Sequence, residues 1–161
     1  MTKPFPVRGA QIAEFDHVLY YVKPTQVEDG VVNGEAFLAR PRDDDGLSVN
    51  WLEWFDPPVE NQVEGVRRLA RITYAKSGRL ARLNIGAVRR HVRGNDQFAT
   101  VLSFAHDPLE PEGQFAADPS HALVKGLPNH GTPEAALVGD LIAECVIDPL
   151  YPAVAPRHTG T

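Results

Sequence analysis

Between Arg67 and Arg93 the chain carries nine basic residues (Arg67, Arg68, Arg71, Lys76, Arg79, Arg82, Arg89, Arg90 and Arg93) and no Asp or Glu. The remainder of its 161 residues holds 7 basic and 21 acidic side chains, a net of −14. A stretch of one sign cannot pack upon itself, because like charges repel and buried ones lose their hydration. Its elements must turn these cations to solvent, to the acidic remainder, or to a partner. The spacing offers such faces. Val63, Val66, Leu69 and Thr73 recur at helical intervals, with Arg67, Arg68 and Arg71 mostly on the other side, which predicts a helix over residues 60–73. Ala81, Leu83 and Ile85 alternate with Leu80, Arg82 and Asn84, which predicts a strand with one exposed face.

Around this stretch the pattern is mainly of short strands. Phe15 to Val22 is rich in β-branched and aromatic residues and ends before Lys23-Pro24. Ala36 to Arg40, Leu47 to Val49, Phe98 to Phe104 and His121 to Lys125 read as further strands, and Asp43-Asp44-Asp45-Gly46 as a solvated turn. Trp51 to Phe55 reads as a helical turn that Asn50 caps, and its aromatics as core. Residues 107–118 hold two prolines and four acids and read as an exposed loop. Thr132-Pro133-Glu134 places a capping hydroxyl, a proline and an acid where a helix starts, and predicts a helix over residues 133–147. Runs of strands with two longer helices give an α+β domain with a mixed or antiparallel sheet over residues 15–150. Residues 1–14 form an arm and residues 151–161 a flexible tail.

Several classes are disfavoured. A single cysteine, Cys145, forms no internal disulfide and no multi-cysteine zinc site; set in an apolar stretch, it reads as a small buried hydrophobe. The first residues lack the apolar core of a signal peptide, and no apolar run approaches the ~20 residues of a membrane span, so the expected location is the cytoplasm, away from membranes. No glycine-rich phosphate loop precedes a helix.

Three kinds of chemistry remain open. Arg67, Arg68, Arg71, Arg79, Arg82, Arg89 and Arg90 could meet phosphates or an acidic protein surface, or pair with acidic loops of the same chain. Tyr74 is the one aromatic between Arg67 and Arg93, too few for stacking on bases. His17 and Tyr21 fall on one side of their strand and could share a polar pocket with Ser48, while Glu53 sits among aromatics where partial burial would make it an acid or base. His106, His121 and His130, with nearby carboxylates, are metal-ligand types without a spacing that fixes two ligands on one element.

The strings Leu47-Ser48-Val49-Asn50-Trp51-Leu52-Glu53-Trp54-Phe55 and Asp118-Pro119-Ser120-His121-Ala122-Leu123-Val124-Lys125-Gly126-Leu127-Pro128 resemble an uncharacterised family of small bacterial proteins, a resemblance that carries no activity. More weakly, Leu19-Tyr20-Tyr21-Val22, Asp29-Gly30, Ala36-Phe37 and Leu47-Ser48-Val49 are similar to the opening of ADP-ribosyltransferase-like domains. That resemblance implies NAD between two small sheets, with His17 or Tyr21 on the first strand and Ser48 on a later one. The family's catalytic Glu, preceded two residues earlier by Gln or Glu, has no counterpart: Glu144 falls on an expected helix. The leading expectation is a binding or accessory protein whose segment 67–93 contacts an acidic protein partner or nucleic acid. The alternatives are an NAD-using transferase and a small-ligand or metal-binding domain.

Overall fold

A computed structural model describes residues 7–40, 46–95 and 97–156. The chain is α+β. Six strands form one antiparallel sheet: β1 (His17–Val22), β4 (Leu47–Trp51), β5 (Arg79–Asn84), β6 (Ser103–His106), β7 (His121–Lys125) and β8 (Ile147–Pro152), in the order β6-β7-β4-β1-β5-β8. Two very short strands, β2 (Val27–Glu28) and β3 (Val31–Val32), make a separate ribbon. The helices are α1 (Val59–Leu69), α2 (Ile85–Asn95) and α3 (Pro133–Ala143). No helix of the described residues is long and apolar enough to cross a membrane.

Strand alternation divides the apolar residues between two sides of the sheet. Val18, Val22, Val49, Ala81, Leu83, Phe104 and Val124 share a core with Ile85, Val88 and Val92 of α2 and Val138, Leu141 and Ile142 of α3. Leu19 and Leu80 face the other way, onto Val63 and Val66 of α1, with Leu52 and Ala153. Close approach fixes α3: a Cβ on Gly139 would stand 2.5 Å from the Gly34 carbonyl oxygen, so only glycine lets the helix rest on the 3₁₀ turn at Gly34–Phe37.

Several boundaries depart from the sequence expectations. The helix expected over 60–73 stops at Leu69, because the next residues drop onto the sheet: Tyr74 stacks on Tyr21 with ring centroids 4.5 Å apart. The helix expected over 133–147 starts where the sequence places it, with the Thr132 hydroxyl accepting from the Ala135 N–H at 3.1 Å, but ends at Ala143. The chain then returns as β8, where Leu80 faces Tyr151 and Arg79 faces Pro152. Two prolines are tolerated there because β8 is the outermost strand. Residues 151–153 are therefore no flexible tail: Ala153 is buried and donates its N–H to the Gly78 carbonyl. Residues 157–161, and the turn expected at 43–45, lie outside the described residues.

The N-terminal arm is tied down as well. Gly9 donates to the His106 carbonyl, His106 to that of Ala10, and Ile12 to that of Phe104, and Ile12 is buried. A third helix, α2, is not among the sequence expectations, which carry the preceding strand through Ile85 and assign no element to residues 86–95. Of the strand expected at Ala36–Arg40, Ala36 and Phe37 belong to the 3₁₀ turn Gly34–Phe37 and the rest is irregular, and the strand expected at 98–104 begins at Ser103. Trp51 ends β4, followed by a 3₁₀ turn at Leu52–Trp54.

Candidate functional site

The α1 side of the sheet carries a row of residues fixed by strand register: Arg82 faces Leu19, Leu19 faces Asn50, and Asn50 faces His121. Two residues along their strands stand Tyr21 and Ser48. Over this floor pass Leu69 and Ala70 at the end of α1, then Arg71, Ile72 and Tyr74. Leu109 and Asp118 close one side. The partly open cavity they bound measures about 200 Å³. A wider cleft of about 480 Å³ adjoins it, sharing Tyr21, Ser48 and Ile72, and is lined by Lys23, Gln26, Glu35, Arg40 and His130.

The side wall is held by two devices. Residues 107–118 fold back on themselves, with Leu109 and Asp118 exchanging backbone hydrogen bonds at 2.9 Å. Arg71 donates to the carbonyls of Glu110 and Ala116, lies 3.6 Å from Glu112 and sits over the Phe115 ring. The acidic loop is thus folded over the basic segment at this one arginine. Asp118 is almost wholly buried, and its carboxylate accepts from the Ser120 N–H (3.1 Å), the Ser120 hydroxyl (2.7 Å) and the Asn50 amide (3.0 Å). Three donors spread over both oxygens are what a buried charge requires.

His121 is fixed from behind. Its Nδ1 lies 2.9 Å from the Asp107 carbonyl oxygen and 3.1 Å from the Asp107 carboxylate. Arg8 pairs with that carboxylate and donates to the Pro108 carbonyl. Tyr74 completes the polar end: burial first, then the charge of Asp118 and the neighbouring Tyr21, push its phenol up from 10.0 to about 12. The folded state thus holds this proton more tightly than the unfolded chain. The resulting stability is complete below the ordinary value of 10.0 and falls as pH rises toward about 12. The loss amounts to at most about 2.7 kcal/mol, at 1.36 kcal/mol per unit. Denaturant titrations across that window are expected to show a shallower decline for Tyr74→Phe than for the wild type; parallel declines would contradict the assignment.

The other residues singled out by sequence are dispersed. His17 is at the opposite end of β1 from Tyr21 and lines neither cavity. Both oxygens of Glu53 are committed to it, one accepting the His17 backbone N–H at 2.6 Å and the other 2.7 Å from Nδ1. Beside them the Trp51 indole N–H donates to Asp16, whose pKa is raised chiefly by burial and further by Glu53, against the lowering from Trp51 and His17. His106 is on the other side of the sheet, its Nε2 on the Pro119 carbonyl and its ring against Trp51 and Trp54. His106, His121 and His130 do not converge, and no group of three or more metal-ligating side chains is assembled among the described residues. Burial pushes the Cys145 thiol up, as does Glu144.

The arginines divide between the two sides of the sheet. On α1, Arg67 donates to the Pro152 carbonyl and to Glu64, while Arg68 is exposed. Arg79 binds the carbonyls of Ser77 and Gly78. On α2, Arg89 donates to the Leu102 carbonyl and pairs with Glu14, which also lies 3.9 Å from Arg90. Arg82 has a buried Nε without a partner among the described residues. Sequence reasoning found Tyr21 and Ser48 but missed Asn50, Tyr74 and Asp118 as cavity residues. Asp118 had a legible signal, since Asp-Pro-Ser before a strand favours a carboxylate that binds the backbone two residues on. Compared with protein-family models, with curated proteins and with solved structures, the chain matches none.

Proposed function

We propose that the protein binds a small organic anion with an apolar body, seated over the sheet between Tyr21, Ser48 and Tyr74. One observation carries this reading: an inner cavity of about 200 Å³, walled by Leu19, Val66, Leu69, Ile72, Leu80 and Leu109, has a few placed polar groups, among them Asn50, Arg71, Asp118, His121 and Tyr74. Small-molecule sites have this character, mostly apolar with a few placed polar groups. The adjoining cleft, with Lys23 and Arg40 against Glu35, favours a negative group at the outer end of the ligand.

Other readings have narrower support. The NAD-using reading keeps Tyr21 and Ser48 in one cavity but parts His17 from them. The reading in which residues 67–93 meet an acidic partner or nucleic acid rests on Arg68, Lys76, Arg90 and Arg93, which are exposed. The remaining arginines of the stretch are largely engaged within the chain.

A thermal-shift series at low salt separates these readings, with phenylacetate, 4-hydroxyphenylacetate, benzylamine, NAD and a short oligonucleotide as probes. The arylacetates are expected to stabilise the fold by about 2.7 kcal/mol at a hundred times their dissociation constant, a rise of about 5–11 °C. Ser48→Trp puts a large ring over the mouth of both cavities from an exposed position and is expected to abolish the shift. No shift with either arylacetate, or a shift that survives Ser48→Trp, would overturn the reading. A shift with NAD or the oligonucleotide alone would move it to the corresponding alternative.

A further inference from the structure

The inner cavity holds one ring nitrogen whose chemistry is set by its surroundings. Both groups near Nδ1 of His121, the Asp107 carbonyl oxygen at 2.9 Å and the Asp107 carboxylate at 3.1 Å, are hydrogen-bond acceptors. A carbonyl cannot donate, so Nδ1 must carry the hydrogen. In the neutral imidazole Nε2 then bears the lone pair. Nε2 makes no hydrogen bond among the described residues, while the ring lines the cavity. Arg8 pairs with the Asp107 carboxylate from the far side, which keeps the carboxylate turned to the ring.

The neighbouring polar groups differ in kind. Asp118 spends both oxygens on Ser120 and Asn50, and the Asn50 amide nitrogen is spent on Asp118 and Ser120. The Tyr21 hydroxyl accepts from the Ala75 N–H, and the Tyr74 phenol is a donor throughout the physiological range. A ligand entering this end therefore meets an acceptor at His121 and donors at Tyr74 and at the Arg71 Nε, which is buried without a partner among the described residues. A group able to satisfy both kinds at once is a hydroxyl, which donates one hydrogen bond and accepts another. An ether oxygen could accept from Tyr74 but would leave Nε2 facing a methyl group.

We propose that the cavity selects a ligand whose apolar body ends in a hydroxyl, of the class of small phenolic or hydroxyalkyl acids, and that Nε2 of His121 accepts the hydroxyl hydrogen while Asp107 and Arg8 act as positioning residues. This rests on the small-anion reading of the cavity and adds the chemistry of its inner end. Selectivity follows from the cost of burying an acceptor without a partner.

The test compares 4-hydroxyphenylacetate, 4-methoxyphenylacetate and phenylacetate by calorimetric titration, with ¹⁵N spectra of the histidine rings. The hydroxyl compound is expected to bind about tenfold tighter than the methoxy compound. The His121 spectrum is expected to show a hydrogen on Nδ1 and a bare Nε2, whose signal moves when the hydroxyl compound binds and stays when phenylacetate binds. His121→Phe is expected to erase the preference, so that the hydroxyl and methoxy compounds bind within about twofold of each other. Asp107→Ala removes the carboxylate but keeps the backbone carbonyl, and is expected to reduce the preference by loosening the ring while the hydrogen stays on Nδ1. If all three compounds bind alike, or the spectrum places the hydrogen on Nε2, the hydroxyl inference fails and the cavity reading stands. If none binds, both fail. The ligand comparison and the spectra use the unaltered protein, so the result does not depend on His121→Phe folding.

Discussion

Replacing Asp118 with Ala is expected to destabilise the protein by about 3–4 kcal/mol, because it strands three donors at a buried position, each at a cost of about 1–3 kcal/mol less the relief of no longer burying a charge. The Ser120 N–H, the Ser120 hydroxyl and the Asn50 amide lose their acceptor together. Ser120 is itself fully buried, so water cannot take the place of the carboxylate without local opening. Asp118→Asn keeps the shape but turns an amide toward the Asn50 amide, and an intermediate loss of about 1–2 kcal/mol is expected. Urea titrations of both variants read the effect directly. A loss below about 1 kcal/mol for Asp118→Ala would show that the carboxylate does not organise this wall in solution. Ligand binding should fall with it, since Asp118 and Asn50, which its carboxylate holds, both line the cavity.

Trp51→Ala is expected to cost about 3–5 kcal/mol, the range for removing a large aromatic from a packed setting. Trp51 meets His106 edge-on at 5.2 Å, leans on Trp54 at 6.1 Å and donates its indole N–H to Asp16 at 2.9 Å. Trp51→Phe keeps a ring in place but removes that donor. Asp16, its pKa already raised by burial and by Glu53, then loses one of the two influences that lower it. The sign follows: a carboxyl with a raised folded pKa costs stability once pH exceeds its unfolded value, and the cost disappears when both states are protonated. The Trp51→Phe defect is therefore expected to shrink as pH falls through the ordinary carboxylate range near 4. A defect that is the same at neutral and acidic pH would mean that only packing is lost.

These two residues mark how far sequence reached. The fold class, the strand at His121–Lys125 and the Thr132 cap were legible because each depends on neighbours in the chain. Helix α2 was also legible, through Ile85, Val88 and Val92 at helical spacing, but Ile85 also fits the alternation of the preceding strand, and that pattern hid the switch of period. The early end of α1 was not legible. It follows from Arg71 reaching carbonyls 39 and 45 residues away. Nor was β8, whose prolines read as a mobile tail until β5 lies beside them.

The site divides in the same way. Tyr21 and Ser48 could be chosen as polar residues on strands, and both line the cavity. His17 and Glu53 each have the chemistry of a reactive group, yet they satisfy one another across 36 residues. Asn50 and His121 become neighbours only through strand register, and His121 gains its fixed tautomer only from Asp107, held in turn by an arginine 99 residues away. Composition marked the basic segment as a unit. The sheet, passing between α1 and α2, separates it into two.

The hydrogen bonds of residues 9–12 along β6 also bear on how this chain would aggregate. An unprotected outer strand is a template on which another sheet can grow. Here one flank is occupied by the N-terminal segment. On the other, Pro149 and Pro152 bring no N–H to β8, and Arg67 takes the Pro152 carbonyl. Growth by strand addition is thereby obstructed on both flanks of the folded molecule. The flank along β6 reopens when a few residues peel away, a local event that needs less free energy than global unfolding. Resistance to aggregation is accordingly set by the fraying of a short terminal segment before it is set by the stability of the core.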